Sequence, residues 1–274
     1  MEDRKNNQFI SVIVPVYNAA KTLATTLNSL LRQDEDVTEI ICVDDCSTDD
    51  SRAILKRYAD FSPRIKVILS AKNQGTLAAR KCGVEAATGK YIMFLDSDDC
   101  LTDGTCAYLS EQMQSTGVDV INFAAELVAL PDVSNFTIMC VKEVLHSVPG
   151  RYENTSLLDE VFVRKNISMT LWNKIYRADI VKKAYACVPD GRFVSGEDIF
   201  ISFLCLFYAK SMICEERVCY RYSVGGGIST TTGVSLQRME TFCSVSVLVE
   251  KSALSWKRKN ALTSTGMRGK STVP

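Results

Sequence analysis

Phe9-Ile10-Ser11-Val12-Ile13-Val14-Pro15-Val16-Tyr17-Asn18 is the stretch whose reading decides how this chain folds. It is a continuous apolar run, rich in β-branched residues, closed by Pro15, Tyr17 and Asn18. A short run of this kind reads as a buried strand. Directly after it, Leu23, Leu27, Leu30 and Leu31 recur at helical spacing, which predicts a helix over Ala19–Arg32. The alternation then repeats. Strands are expected at Ile40–Val43, Ile65–Leu69, Tyr91–Leu95 and Val118–Ala124, with helices at Thr48–Ala59 and Gly75–Ala87 between them. Ser47 followed by Asp50 resembles a capping box for the first of these helices, and Gly89 closes the second. Strands alternating with helices of about 10–15 residues predict an α/β fold, a mostly parallel sheet with helices on both faces.

In open sheets of this kind ligands sit beyond the carboxyl ends of the strands. Three strand ends carry Tyr17-Asn18, Asp44-Asp45 and Asp96-Ser97-Asp98-Asp99. The last cluster crowds carboxylates that repel one another unless a cation sits among them. Hard Mg²⁺ or Mn²⁺ commonly takes one or two carboxylates plus substrate phosphates; a solvated Asp-rich turn or a helix cap is the alternative. Asp44 and Asp45 suit a ribose hydroxyl or a base N–H, or else cap the following helix. Glu197-Asp198 opens an apolar helix, where acids favour the dipole; Asp198 is also a candidate general base. Arg80, after Asn73-x-Gly75, could reach phosphate or base groups, against the reading of a surface helix. Trp172, Asn173 and Lys174 could line a sugar site, although a lone Trp is more often core.

Beyond Ala125 the pattern weakens between Pro131 and Pro149, and an insertion is expected there. Helical spacing returns at Ser156–Arg164, Ile180–Ala186 and Asp198–Tyr208, a strand at Met212–Tyr222, and a last helix at Ser235–Leu254. Gly225-Gly226-Gly227 reads as a flexible loop. The 274 residues, 46% hydrophobic and 23% charged, suffice for one large core. Zero formal net charge argues neither for nor against nucleic acid; no nucleic-acid partner is expected. Eleven cysteines without a CxxC pair, Cys42, Cys140, Cys205 and Cys243 among them in apolar runs, are expected as buried reduced thiols. His146 is the single histidine, so a zinc site is not expected. Met1–Gln8 is polar, without the apolar core of a leader, and no apolar stretch reaches the roughly 20 residues of a membrane span. A cytosolic location is expected. Lys251–Pro274 carries six basic residues and no acidic one; it reads as a solvated tail or as a contact to the anionic inner face of a membrane.

The order of these pieces carries more than any one of them. Ser11 to Asn18, Val43-Asp44-Asp45-Cys46-Ser47-Thr48-Asp49, Asn73-Gln74-Gly75 through Ala79-Arg80, and Phe94-Leu95-Asp96-Ser97-Asp98-Asp99 together strongly resemble glycosyltransferase family 2. Trp172 to Arg177, Gly196-Glu197-Asp198 and Tyr220-Arg221 to Ile228-Ser229 look like the same family's acceptor-side motifs. The resemblance covers roughly residues 8–232 and implies a GT-A type fold with a C-terminal, acceptor-side helical portion. It implies a nucleotide-sugar-binding half over 1–124, an acceptor-binding and catalytic-base half over 125–233, and a C-terminal helix and basic tail over 234–274. Pro15, Tyr17 and Asp45 would border the nucleotide, usually uridine, with Arg80 near the same pocket. Asp96 and Asp98 match the family's DxD element, Asp98 as the metal ligand, and Asp99 would orient the sugar. Asp198 matches the catalytic base, and Glu197, Trp172 and Lys174 fall on the acceptor side. The implied activity is inverting transfer from a UDP-sugar, with Mn²⁺ or Mg²⁺, to a glycan or lipid-linked acceptor.

Two departures stand out: no family motif follows Gly233, and the triple glycine replaces a region where basic residues often occur. Two other classes share single features. A phosphatase with a nucleophilic aspartate also uses Asp-x-Asp, but after its first strand, and it leaves Asp45 and Asp198 without roles. A nucleotide-sugar-binding protein without turnover needs no base at Asp198. A dehydrogenase is not expected, since Val16-Tyr17-Asn18 rather than a GxGxxG turn follows the first strand.

Overall fold

The computed structural model describes residues 10–35, 38–153, 157–188 and 196–225. Its opening third follows the alternation read in the sequence. The strands are β1 Ile10–Val16, β2 Thr38–Asp44, β3 Ile65–Leu69 and β4 Tyr91–Phe94, and the intervening helices are α1 Leu23–Leu31, α2 Ser51–Phe61 and α3 Thr76–Ala86. These four strands pair in parallel in the order β3-β2-β1-β4. Alternate residues of each strand enter opposite cores. Ile10, Val12 and Val14 join Leu23, Leu27 and Leu30 of α1 on one face, whereas Ile13, Ile41, Val43 and Phe94 join Leu77 and Val84 of α3 on the other. Burial on both faces is the physical reason the central parts of β1, β2 and β4 read as apolar runs, while edge strand β3 is only partly buried.

The second half completes the sheet with a mixed pattern. The further elements are β5 Cys100–Leu101, α4 Thr105–Thr116, β6 Val120–Ala129, α5 Asn135–Leu145, β7 Gly150–Glu153, α6 Leu157–Phe162, β8 Lys174–Arg177, α7 Ala178–Ala186, α8 Glu197–Tyr208 and β9 Ser211–Val224. The strand order of the whole sheet is β3-β2-β1-β4-β8-β6-β9-β5, with β7 on β9. β8 lies antiparallel between β4 and β6, β5 and β7 run antiparallel to β9, and β6 pairs with β9 in parallel. β6 runs through residue 124, so one strand belongs to both sequence-assigned halves. Helices α6, α7 and α8 pack on the α3 face and α4 packs on the α1 face.

Several local expectations change. Ser47 and Asp50 form no capping box: α2 starts at Ser51, and Asp50 makes no side-chain cap bond. Ser47 instead accepts from the Asn18 amide, as Ser51 and Asp49 do from those of Ala19 and Ala20. These side chains therefore tie the turn after β1 to the turn after β2. The stretch read as an irregular insertion holds α5, on which no residue is buried, and Cys140 is exposed there rather than buried. Every described cysteine is free. Cys243, the loop at 226–230, the expected helix Ser235–Leu254 and the basic tail lie outside the described residues.

Candidate active site

After β1, β2 and β3 build one edge, the chain crosses to β4 on the other side of β1. That reversal opens a crevice at the carboxyl ends of β1 and β4. Tyr17, 43% exposed, and Asn18, with a φ of 51°, follow β1, while Pro15 stays buried inside the strand. Asn18 Oδ1 accepts from the Thr48 amide at 2.8 Å. Thr22, just before α1, and Thr26 within it donate to the Ser97 carbonyl at 2.8 and 3.0 Å, which fixes the acidic loop after β4 against the helix that follows β1.

The two aspartates that end β2 are both buried and both engaged. Asp44 accepts from the Ser47 amide and from Arg52 Nε at 2.6 Å. Asp45 accepts from the amides of Gln74 and Gly75 at 2.9 and 2.7 Å, so its two oxygens hold the Asn73-Gln74-Gly75 turn. Gly75 has a φ of 91°, a region glycine enters without steric cost. Asp45 thus sets the entry angle of α3. Gly83 then lets α3 lie close on β1, where a Cβ would stand 2.4 Å from Ile13 Cγ2.

Close packing of α3 delivers Arg80 to the crevice. Its side chain is 3% exposed; Nη2 donates to Asp96 Oδ1 at 2.7 Å and Nη1 to Asp198 Oδ1. Its guanidinium carbon lies 5.9 Å from the centre of the Phe94 ring. One buried cation therefore joins the acidic loop after β4 to the first turn of α8. Glu197 stands beside it in the same turn. Burial raises the carboxyls of Glu197 and Asp198 above the usual range, neighbouring acids add to this, and Arg80 opposes it in both.

Within the acidic loop the carboxylates differ in their partners. Asp99 is buried and accepts from the Ser223 amide at 2.7 Å and the Tyr220 hydroxyl at 2.8 Å. Burial, with Asp96 nearby, pushes it up to about 8. The Tyr220 hydroxyl also accepts from the Asp96 amide, and Ser223 Oγ donates to the Asp98 carbonyl at 2.7 Å. β9 thereby holds the loop at Asp96, Asp98 and Asp99. Asp98 is only partly buried, and no side chain among the described residues donates to its carboxylate. Burial and then Asp96 raise it.

That imbalance is the test for a divalent ion. Among the described residues no three His, Cys, Asp or Glu side chains are placed to hold one unaided. A carboxylate without a side-chain donor, destabilised by its surroundings, does fit an ion whose remaining ligands are substrate oxygens.

On the far wall Trp172 is 6% exposed and stacks flat on Tyr222, with centroids 4.8 Å apart and planes at 4°, and its centroid lies 4.4 Å from that of Tyr220. Through Tyr220 this aromatic group reaches Asp99. Lys174 corrects an expectation. It is fully buried, and Nζ donates to the Thr170 carbonyl at 2.6 Å, Asn173 Oδ1 at 3.0 Å and Ser168 Oγ at 3.2 Å. An ammonium enclosed by three oxygens of its own loop has nothing left for an acceptor. Sequence reasoning missed Ser223, Thr22 and Thr26; the last two sit one turn apart at the start of α1, a spacing that puts both on one face.

The strand order, the acidic loop and the comparisons with known proteins agree on a class, the GT-A fold. A crystal structure of TarS from Staphylococcus aureus in complex with UDP superposes with a TM-score of 0.65 at 23% identity, over 88% of this chain and 64% of that one. The mannosyltransferase PcManGT of Pyrobaculum calidifontis, solved with GDP-Man and Mn²⁺, gives 0.55 at 18%, over 82% and 59%. The family model described as glycosyl transferase family 2 matches residues 11–136. EpsH of Bacillus subtilis is 33% identical over 78% of this chain, which spans 60% of EpsH's length. A cholesterol galactosyltransferase of Borreliella burgdorferi is 30% identical over 88% of this chain and 69% of its own length. The chain belongs to glycosyltransferase family 2.

Proposed function

We propose that this protein transfers a sugar, with inversion, from a nucleotide diphosphate donor to a hydroxyl of a glycan or lipid-linked acceptor in cell-surface polysaccharide synthesis. The observation that carries the reading is the convergence of Asp96, Asp98, Arg80 and Asp198, from three separate elements, on one crevice. A UDP-sugar is the donor proposed, in keeping with the UDP held by TarS.

Tyr17, exposed beyond β1, offers its ring to the base, and Asp45 shapes the turn that borders the same pocket. Asp98, with Asp96 beside it, would hold Mn²⁺ or Mg²⁺, which when bound stabilises the charge that gathers on the pyrophosphate as the sugar leaves. Asp99, shielded by Tyr220, faces the sugar's side of the loop. Asp198 takes the proton of the acceptor hydroxyl. That oxygen bonds to the anomeric carbon, the bond from carbon to the pyrophosphate oxygen breaks, and the nucleoside diphosphate leaves with the electron pair. A single displacement inverts the centre. Trp172, Tyr222 and Glu197 form the acceptor's wall.

No helix among the described residues is long and apolar enough to cross a membrane; the proposed location is the cytosol or the inner face of its membrane. The test is a thermal-shift series with UDP and UDP-sugars, with and without Mn²⁺. UDP should raise the melting temperature in a metal-dependent manner, as any ligand bound only by the native state does, and Asp98→Ala should abolish that rise. Equal stabilisation without metal, or in Asp98→Ala, would overturn the metal role. No response to any nucleotide would overturn the donor class.

A further inference from the structure

We infer that Arg80 is a positioning residue for the proposed base: it pins Oδ1 of Asp198 and of Asp96 and leaves Oδ2 of each to face the crevice. The inference rests on the proposed function for its consequence in turnover, but its geometry stands apart from it. Arg80 sits on the buried face of α3 together with Leu77, Ala79, Gly83 and Val84. At 3% exposure its side chain presents no open edge on which a pyrophosphate could land, whereas Asp96 and Asp198 are 28% and 37% exposed. Nε is buried without a hydrogen-bond partner, and each Nη meets a carboxylate. This is a cation turned inward, not one displayed to a donor.

The guanidinium is a rigid planar fork, so fixing its plane fixes where its two carboxylates lie. That plane is held between the α3 packing and the ring of Phe94, which itself packs against Tyr185 of α7 at 6.0 Å. The partners come from sites 16 and 118 residues distant in sequence. Arg80 is thus the ionic link between the acidic loop and α8. Without it, Asp198 has no other cation among the described residues to fix its rotamer, and Asp96 and Glu197 would repel it.

The full chain and its Arg80→Met and Arg80→Lys variants decide the matter through three readouts. UDP affinity with Mn²⁺ should stay within threefold of the parent in both. Amide hydrogen exchange in the first turn of α8, over residues 197–201, should quicken at least tenfold in Arg80→Met and less in Arg80→Lys. Transfer should fall at least a hundredfold in kcat in Arg80→Met, with donor KM within threefold and partial recovery in Arg80→Lys. A UDP affinity weakened tenfold or more in either variant makes Arg80 a donor ligand and overturns the inference, whatever the exchange shows. Unchanged exchange overturns it as well. If Arg80→Met does not fold, the same criteria are read from Arg80→Lys. A parent protein that neither transfers nor binds UDP would instead overturn the proposed function, and exchange alone would then decide the role of Arg80.

Discussion

Replacing Lys174 by methionine should change how the stability of this protein depends on pH. Burial pushes the Lys174 ammonium down to about 7 from its ordinary 10.5, with no carboxylate among its three oxygen partners. Between those two values the unfolded chain holds a proton on this lysine that the folded chain has released. Stability therefore rises with pH across that window and is flat below it, where both states are charged. Integrated from pH 7 to pH 9, one such group contributes a rise of about 2 kcal/mol, roughly a fortyfold change in the folding constant. Lys174→Met removes this contribution while keeping a flexible, apolar side chain of similar length. Buried thiols work in the opposite direction near the top of the range: Cys42, Cys106, Cys214 and Cys219 are each pushed up to about 12 from 9.0. Their contribution is common to both proteins and cancels in the difference. Denaturant unfolding of the parent and the variant at pH 7, 8 and 9 measures that difference. The parent should gain on the variant by about 2 kcal/mol over the range. Differences constant to within about 0.5 kcal/mol would mean that the ammonium stays charged, its oxygen partners outweighing burial. The offset at pH 7 is not diagnostic, because orphaning the Thr170 carbonyl and Asn173 Oδ1 opposes the relief of a buried charge.

Gly83→Ala should lower stability by about 1–3 kcal/mol, since its Cβ would stand 2.4 Å from Ile13 Cγ2 and α3 must move off β1; an unchanged denaturation midpoint would refute the close packing. Tyr220→Phe keeps the ring against Trp172 but strips one of two donors from buried Asp99, and should lower stability by about 1–3 kcal/mol; a loss below about 0.5 kcal/mol would show that water replaces the hydroxyl. Asp198→Asn should bind UDP with Mn²⁺ as the parent does and lose at least a hundredfold in kcat; transfer within tenfold of the parent would place the base elsewhere.

The strands most plainly legible in the sequence are β1, β2 and β4, which are buried on both faces. β1, β2 and β4 have neighbours on either side and helices above and below, so most positions are apolar and a period is unnecessary, whereas β3, at the sheet's edge, was read from a short apolar run interrupted by Lys66. β8 was not legible because two of its four residues, Lys174 and Arg177, are basic. Lys174 is tolerated in the middle of the sheet only because Ser168, Thr170 and Asn173 supply oxygens from the loop before it, a local arrangement that no periodicity reports. α5 escaped for the opposite reason. Phe136, Met139 and Val144 lie exposed on it while Leu145 packs inward, so its apolar residues fall on more than one face and the helical period is blurred.

The chemistry was legible wherever one local feature sufficed, and lost wherever two distant ones had to meet. Asp45, Asp98 and Asp198 each announce themselves by following a strand or opening a helix. What the sequence withholds is their partners. Asp45 faces amides 29 and 30 residues away, Asp99 meets Tyr220 across 121, and Asp198 meets Arg80 across 118. Those contacts reassign roles as well as completing them. A carboxylate at a strand end expected to meet a ribose holds a turn, and an arginine expected to meet a phosphate is enclosed by carboxylates. Within the loop after β4, Asp96 meets Arg80 and Asp99 meets Tyr220, whereas no side chain among the described residues donates to the Asp98 carboxylate. Of the three acids in that loop, which a simple reading treats as alike, Asp98 is the one that no side chain engages, and that distinction comes from hydrogen-bond satisfaction, which composition and spacing do not encode.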